Sequence, residues 1–312
     1  MDYLDGLNDK QKEAVLHDKG PLLILAGAGS GKTRVLTHRI AYLVNNRLVR
    51  PYNILAITFT NKAAKEMKER LNNLLEEYSS GIWINTFHSA CLRILRREIE
   101  KIGYDKNFVI FDTADQKTLI KDCLKELDIN EKNYPVKQAI YTISNAKDEL
   151  IDCKRFEKIY QSDYKMSKFA SIYTLYQKKL KQYNAVDFDD IIIKTIQLFN
   201  DNPDVLDYYQ NKFQYVLVDE YQDTNTAQYS LISMLSKKYK NLCVVGDDDQ
   251  SIYGWRGANI RNILDFEVEF KGCKTIKLEQ NYRSTSVILE AANEIIKNNI
   301  SRKSKVLWTD KD

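Results

Sequence analysis

The sequence predicts an α/β fold: a central, mostly parallel sheet interrupted by an inserted, all-helical subdomain. Three observations predict it. Short apolar runs without polar alternation recur along the chain, among them Leu22–Leu25, Ile54–Phe59, Tyr215–Val218 and Leu242–Val245. Such runs are strands buried on both faces. The first two lead through small or polar loops into helical patterns, the rhythm of parallel strands joined by crossover helices. Finally, no glycine occurs between Gly103 and Gly246, only Pro135 and Pro203 interrupt that span, and much of it carries apolar residues at helical spacing.

The first run sets the chemistry. Leu22–Leu25 is followed by Ala26-Gly27-Ala28-Gly29-Ser30-Gly31-Lys32-Thr33, then by a helix with Val35, Leu36, Ile40 and Leu43 on one face. Strand, glycine-rich loop and helix ending the loop on Gly-Lys-Thr is a P-loop in its proper context. Glycines let backbone N–H groups surround phosphate oxygens, and the helix N-terminus adds partial positive charge. Lys32 is placed to reach the β- and γ-phosphates and Thr33 to offer its hydroxyl to Mg²⁺. Ala26 stands where the general pattern has its first glycine.

Upstream, Asn8 caps a helix starting near Asp9, with Gln11 three residues on. Gln11 reads either as half of a capping box or as an amide facing adenine N6 and N7. Ile54–Phe59 is the second strand. Phe59 and Thr60 fall at its C-terminal end, where open α/β sheets place ligand contacts. Phe59 is either core or a stacking face for a base. Thr60-Asn61-Lys62-Ala63 opens a helix and lacks the aspartate of the guanine-reading Asn-Lys-x-Asp motif, which excludes a GTPase of that kind.

Ile82–Ser89 reads as a third strand with a polar exit at His88, a residue open to roles as base, metal ligand or phosphate contact. No second His lies nearby, and Cys91 alone does not complete a ligand set, so metal is disfavoured. Helical patterns over 115–127, 136–146 and 168–183 mark an insertion from about Phe108 to Tyr183, whose Lys and Tyr residues either line a DNA path or form plain helix surface. Asp187-Phe188-Asp189-Asp190 precedes an apolar helix, and its acids either cap that helix or help the nucleotide site.

The sheet resumes with Tyr215–Val218 and the Asp219-Glu220 pair of a Walker B motif. Asp219 holds Mg²⁺ and Glu220 polarises the attacking water. Leu242–Gly246 leads to Asp247–Ala258. There Gln250 is a γ-phosphate sensor, and Tyr253, Trp255 and Arg256 combine stacking faces with a cation, a pairing suited to single strands. Thr275–Leu278 is the last strand. It ends in Gln280-Asn281-Tyr282-Arg283, with Tyr282 placed to stack on adenine and Arg283 as a cis arginine finger.

The bulk properties agree. The 312 residues are 44% apolar, enough for one large domain or two ordinary ones. A net charge of +4 permits nucleic acid without demanding it. No apolar run has bilayer length, and the N-terminus lacks the apolar core of a signal peptide. The five cysteines show no CxxC spacing, which points to reduced thiols in a cytosolic protein without a zinc or iron–sulfur site.

The ordered set of motifs resembles the UvrD/Rep/PcrA family of superfamily 1A DNA helicases, on its PcrA-like branch. The likeness runs through Gln11, Ala26–Thr33, Thr58–Met67, Thr86–Ser89, Asp187–Asp190, Asp219–Asp223, Gly246–Ala258 and Leu278–Ser284. The Gly246–Ala258 run and Gln280–Ser284 are the most specific. The resemblance implies a RecA-like P-loop NTPase domain over 1–107 and 184–284, a helical 1B insertion over 108–183, and the start of a second motor domain or a linker over 285–312. It implies that Gln11 and Tyr282 bind adenine with Arg34 nearby, and that Lys32, Thr33, Gln250 and Arg283 meet phosphates or metal. Asp219 holds Mg²⁺ and Glu220 is the catalytic base. Phe59, with Thr60 and Asn61 beside it, His88, Tyr253, Trp255 and Arg256 line the single-strand path.

The implied activity is ATP-dependent 3′–5′ translocation on single-stranded DNA and unwinding at single-strand/duplex junctions, in repair and replication in the bacterial cytoplasm. Family members continue into a second motor domain that supplies the other wall of the ATP cleft. After Ser284 come a helix, expected over 285–300, and Val306-Leu307-Trp308 as the opening of a further strand. The chain therefore reads as a fragment, weakly active alone. The alternative is a nucleotide- or DNA-binding module that docks repair or transcription proteins.

Overall fold

In the computed structural model, which describes residues 3–75, 79–299 and 302–312, the strands are β1 (Leu22–Ala26), β2 (Ile54–Thr58), β3 (Trp83–Thr86), β4 (Val109–Phe111), β5 (Ala185–Asp187), β6 (Tyr215–Val218), β7 (Leu242–Gly246) and β8 (Lys274–Leu278). The helices are α1 (Asp9–Leu16), α2 (Lys32–Asn45), α3 (Asn61–Leu75), α4 (Phe87–Glu98), α5 (Thr113–Glu126), α6 (Val136–Asp148), α7 (Cys153–Ile159), α8 (Tyr164–Gln182), α9 (Phe188–Asp201), α10 (Pro203–Lys212), α11 (Thr226–Ser236), α12 (Arg261–Leu264), α13 (Phe266–Glu269) and α14 (Ser286–Ile296). The chain forms two compact units. The first comprises Met1–Phe87, Asp207–Thr224 and Ile232–Asp312, the second His88–Leu206 and Asn225–Leu231. The expected insertion over 108–183 falls within the second.

The first unit is built on a six-stranded parallel sheet of order β3-β2-β6-β7-β1-β8. Every residue of β1, β2, β6 and β7 is buried, as the unalternating runs require, while the edge strands β3 and β8 are only partly so. Alternate residues Leu22, Ile24, Ala26, Ile54, Ala56, Cys243 and Val245 meet one helical layer. Its contributions are Ala14 and Val15 of α1, Val35, Leu36, Ile40 and Leu43 of α2, and Met67, Leu71 and Leu75 at four-residue spacing on α3. β1 lies between β7 and β8, so the chain leaves it towards β2 on one side and later crosses to β8 on the other. That is the switch point where a parallel sheet opens a crevice at its C-terminal edge.

The second unit packs α5, α6, α7 and α8 around Ile120, Cys123, Ile143, Phe156, Phe169, Ile172 and Tyr176. Pro135 stands at the N-cap of α6 and Asp112, Asp152 and Asp163 cap α5, α7 and α8. Beneath them β4 and β5 form a two-stranded parallel pair. Three corrections to the sequence reading arise here. β4 and β5, three residues each, and the seven-residue α7 are too short to show a period. α8 starts at Tyr164, four residues before the expected 168. The third strand ends at Thr86, because apolar residues at helical spacing (Phe87, Cys91, Ile94, Leu95) start α4 at Phe87. His88 therefore sits in a first helical turn, not at a strand exit.

The acids of Asp187–Asp190 are caps. Asp187 accepts from Asp190 N and Asp190 accepts from Asp187 N, a reciprocal box at the start of α9. Both carboxylates also meet the buried Lys147 ammonium, at 2.6 and 2.9 Å, and Tyr176 donates to Asp187 Oδ2. Asp187 and Asp190 are thus engaged within the second unit. α14 runs Ser286–Ile296, and Ile300 lies outside the described residues. Trp308 bridges Gln280 in parallel, beside the exit of β8 in the first unit. All five cysteines are free thiols, and no helix among the described residues is long and apolar enough to cross a membrane.

Candidate active site

The P-loop leaves β1 at Gly27. Gly29 (φ +70°) and Gly31 (φ +88°) take the left-handed conformation that lets the chain turn into α2. The loop's carbonyl oxygens are tied to the protein around them. Asn281 Nδ2 donates to Ala28 O (2.6 Å), Tyr282 N to Gly29 O (3.0 Å), Gln11 Nε2 to Ser30 O (2.9 Å) and Ser30 Oγ to Gly27 O (2.8 Å). Carbonyl oxygens repel phosphate, so fixing them sets the loop in a form suited to an anion. Asn281 is buried, and its Oδ1 also accepts from Arg283 N and Ser284 N. The end of β8 thus clamps the loop from outside.

At the start of α2, Lys32 Nζ lies 3.3 Å from Glu220 Oε2, and Thr33 Oγ1 donates to Asp219 Oδ2 at 3.1 Å. Burial pushes the Asp219 carboxyl up to about 6, and the neighbouring Glu220 charge pushes the same way. Burial raises Asp223 to about 6 as well, again with Glu220 contributing. The Thr33 hydroxyl and the Asp219 carboxylate are hard oxygen donors within hydrogen-bonding distance of each other. Together with an acid short of positive charge, they fit a divalent ion such as Mg²⁺.

Glu220 itself adopts φ +49°, and Gln222 Nε2 donates to its Oε2 at 2.9 Å. The Gln222 carbonyl side accepts from Asp247 N (3.0 Å), linking the end of β6 to the end of β7. Gln250 follows on the surface, its amide donating to Asp247 Oδ2. Arg283 is exposed at the rim.

Gln11 resolves into more than either sequence reading. It completes the capping box with Asn8 (2.8 and 3.1 Å) and, buried, holds the P-loop through Ser30. Tyr282 is 42% exposed, and its hydroxyl accepts from Asn8 Nδ2 at 2.8 Å, which brings the α1 cap and the Tyr282 ring together. Arg34 is exposed and reaches Asp5 O at 3.4 Å.

The aromatic turn after Gln250 stands out from the surface. Trp255 is 65% exposed and Tyr253 40%. The Arg256 guanidinium lies 4.6 Å from the Trp255 ring centre and 5.9 Å from that of Tyr253. Hydrogen bonds from Arg256 N and Ala258 N to Tyr253 O close the turn, and Gly257 (φ +81°) ends it. Phe59 is half-buried, edge-on to Phe87 at 5.5 Å. Thr60 Oγ1 accepts from Ala63 N, capping α3, and Asn61 is exposed. In the second unit, the His88 ring stacks on Phe188 at 4.2 Å, and burial lowers the His88 pKa.

Comparison with known proteins shows the family. The model of the UvrD/REP helicase N-terminal domain matches residues 7–271. This chain belongs to the UvrD/REP helicase family. The ATP-dependent DNA helicase PcrA of Staphylococcus aureus (strain Mu50) is 58% identical over 306 residues, 98% of this chain and 42% of that protein. PcrA of Staphylococcus epidermidis (strain ATCC 12228) is 58% identical over 303 residues, 97% of this chain and 41% of that protein. The chain thus corresponds to the N-terminal portion of these relatives and spans about two-fifths of their length.

Within this UvrD/REP domain, the structure adds residues that motif reading passed over. Asn281 and Gln222 lay inside recognised motifs, but only the fold reveals their partners. Phe188, 55% exposed and stacked on His88, has no role in the sequence reading, although a bulky aromatic among the acids of a first helical turn is the available signal.

Proposed function

We propose that the chain is the ATP-binding motor domain of a 3′–5′ DNA helicase, in which 1–107 and 184–284 form the motor and 108–183 the inserted subdomain. The observation that carries the reading is the grouping of Lys32, Thr33, Asp219 and Glu220 at the C-terminal edge of the sheet, with 3.3 and 3.1 Å pairings between them. ATP enters with its phosphates in the P-loop and its base by Gln11, Tyr282 and Arg34. Thr33 and Asp219 hold Mg²⁺. When bound, that ion supplies charge neutralisation at the β- and γ-phosphates.

The γ-phosphate competes with Glu220 for Lys32. Once the pair separates, the Glu220 carboxylate is free to accept a proton from a water attacking in line. Gln250 donates to a γ-phosphate oxygen, and Arg283 adds positive charge where it develops. Single-stranded DNA lies on Phe59, Thr60, Asn61, Tyr253, Trp255 and Arg256 of the first unit; His88, within the second unit, is a DNA contact in its own right. The partner is DNA in the bacterial cytoplasm, as single strand or junction.

Steady-state ATPase activity with and without single-stranded DNA, beside Lys32→Ala, tests the reading. DNA-stimulated turnover of the full-length protein that disappears in the variant is expected. Equal turnover in the variant overturns the site.

A further inference from the structure

Asp247, Asp248 and Asp249 bring three carboxylates within ligating distance of a common point, yet a side chain already fills that point. Lys305, 4% exposed, places its ammonium 2.9 Å from Asp247 Oδ1, 2.5 Å from Asp248 Oδ1 and 2.7 Å from Asp249 Oδ2. An ammonium has three N–H donors, and here each has a carboxylate. Arg302 adds a second cation 2.8 Å from Asp249, and Lys303 N donates to Asp248 Oδ2 at 2.7 Å.

The Asp247 carboxylate is shared. One oxygen faces Lys305, and the other accepts from Gln250 Nε2. The same segment reaches two further walls of the site. The Leu307 side chain packs over Gly27 so closely that a Cβ there would run into it. Trp308 N donates to Glu279 O (3.0 Å), Asn281 N to Trp308 O (2.7 Å) and Lys311 Nζ to Tyr282 O (2.6 Å). The P-loop, the Gln250 loop and the Tyr282 segment are therefore all joined by residues 302–311, which lie beyond the 7–271 of the family match.

We propose that Lys305 is a positioning residue for Gln250, acting through Asp247, and that residues 302–311 strap the γ-phosphate-sensing loop in register with the P-loop. The proposal rests on the reading of Gln250 as the γ-phosphate contact. Without the ammonium, three adjacent carboxylates, two of them buried, repel one another, and Asp247 Oδ1 keeps only its bond from Asp249 N to hold the second oxygen towards Gln250.

The test combines amide hydrogen exchange over residues 246–252 of the nucleotide-free chain with the ratio of ATPγS to ADP affinity. Lys305→Gln is expected to speed exchange there by about tenfold, the scale of coupling within one network. It should lower the ATPγS preference to the level of Gln250→Ala, and the double variant should lose no more. Asp247→Asn leaves Lys305 two carboxylates but breaks the relay, so it gives the same loss and decides the matter if Lys305→Gln does not fold. Exchange and preference at parental levels in these variants, or losses that add in the double variant, overturn the proposal. Failure of the Gln250 reading shows separately, as an unchanged preference in Gln250→Ala. In that case the exchange rates alone confirm or refute the strap.

Discussion

Lys32 Nζ stands 3.3 Å from Glu220 Oε2, so the cation that closes the P-loop and the acid that follows β6 hold each other. With 12% and 39% of their side chains exposed, the two are partly shielded from water. On the proposed reading, a γ-phosphate separates the pair.

This pairing makes Glu220→Gln a selective variant. A glutamine still offers an oxygen to Gln222 Nε2, but it cannot take a proton from water. Hydrolysis is expected to fall by about 10²–10⁴, the usual contribution of a general base. ATP affinity should hold or rise, because Lys32 no longer has an anion to leave. Single-turnover hydrolysis and a fluorescent-nucleotide titration separate the two effects. A large loss of affinity would show that Glu220 shapes the pocket.

Trp255→Ala is expected to weaken single-strand binding by about 1–3 kcal/mol, the range for one stacked base. Its ring is 65% exposed and faces the Arg256 guanidinium, 4.6 Å from the ring centre. Thermal stability should therefore stay nearly unchanged, and Trp255→Phe should keep part of the affinity. Fluorescence anisotropy with labelled oligonucleotide and a melting curve give both numbers. A drop in stability with no change in DNA affinity would make Trp255 a packing residue.

The parallel sheet was largely legible, as were the residues that gather at its candidate site, and the reason is local. β1, β2, β6 and β7 are buried on both faces, so their apolar runs are unbroken, and β1, β6 and β7 lead into residues whose chemistry is visible without a partner: Gly31-Lys32-Thr33, Asp219-Glu220, Gln250. What stayed hidden depends on contacts distant in sequence. Nothing around Asn281 announces that it clamps Ala28, and nothing around Lys305 announces three aspartates. His88 was misplaced because β3 has four residues and its neighbour Phe87 serves equally as the end of a strand or the start of a helical stripe. The Asp187–Asp190 motif gave its cap correctly and concealed Lys147, which lies forty residues earlier on α6.

Lys147 is the fixed point of the second unit. Its ammonium, fully buried, faces Asp187 and Asp190, and the ring of Tyr176 lies 5.5 Å away. Lys147→Met is expected to destabilise the chain by about 3–5 kcal/mol, because it leaves two buried carboxylates without a cation. Adding Asp187→Asn and Asp190→Asn to it should restore much of that loss. Denaturant unfolding of the single and triple variants decides. Equal destabilisation in both would place the cost in packing and not in charge.

Asp148, one residue on, gives a pH dependence of defined sign. Burial, with Asp189 and Glu149 nearby, raises its carboxyl from 3.8 to about 7. It accepts from Asn225 Nδ2 at 2.6 Å, a bond that a protonated acid or an asparagine also makes. In the folded chain the group holds a proton that the unfolded chain has released between those two values. Stability from this group is therefore greatest at the acidic end of that window and falls as pH rises, levelling off above about 7. Asp187, raised by burial, and Asp219 and Asp223, raised to about 6, contribute slopes of the same sign at lower pH, so the difference between parent and Asp148→Asn isolates the one group. Melting temperatures at pH about 6 and about 8 should show the parent losing stability across that range. Asp148→Asn should lose less, and at the higher pH should be the more stable of the two. Parallel pH profiles would mean that Asp148 titrates alike in the folded and unfolded chain and that its bond to Asn225 carries no protonation cost.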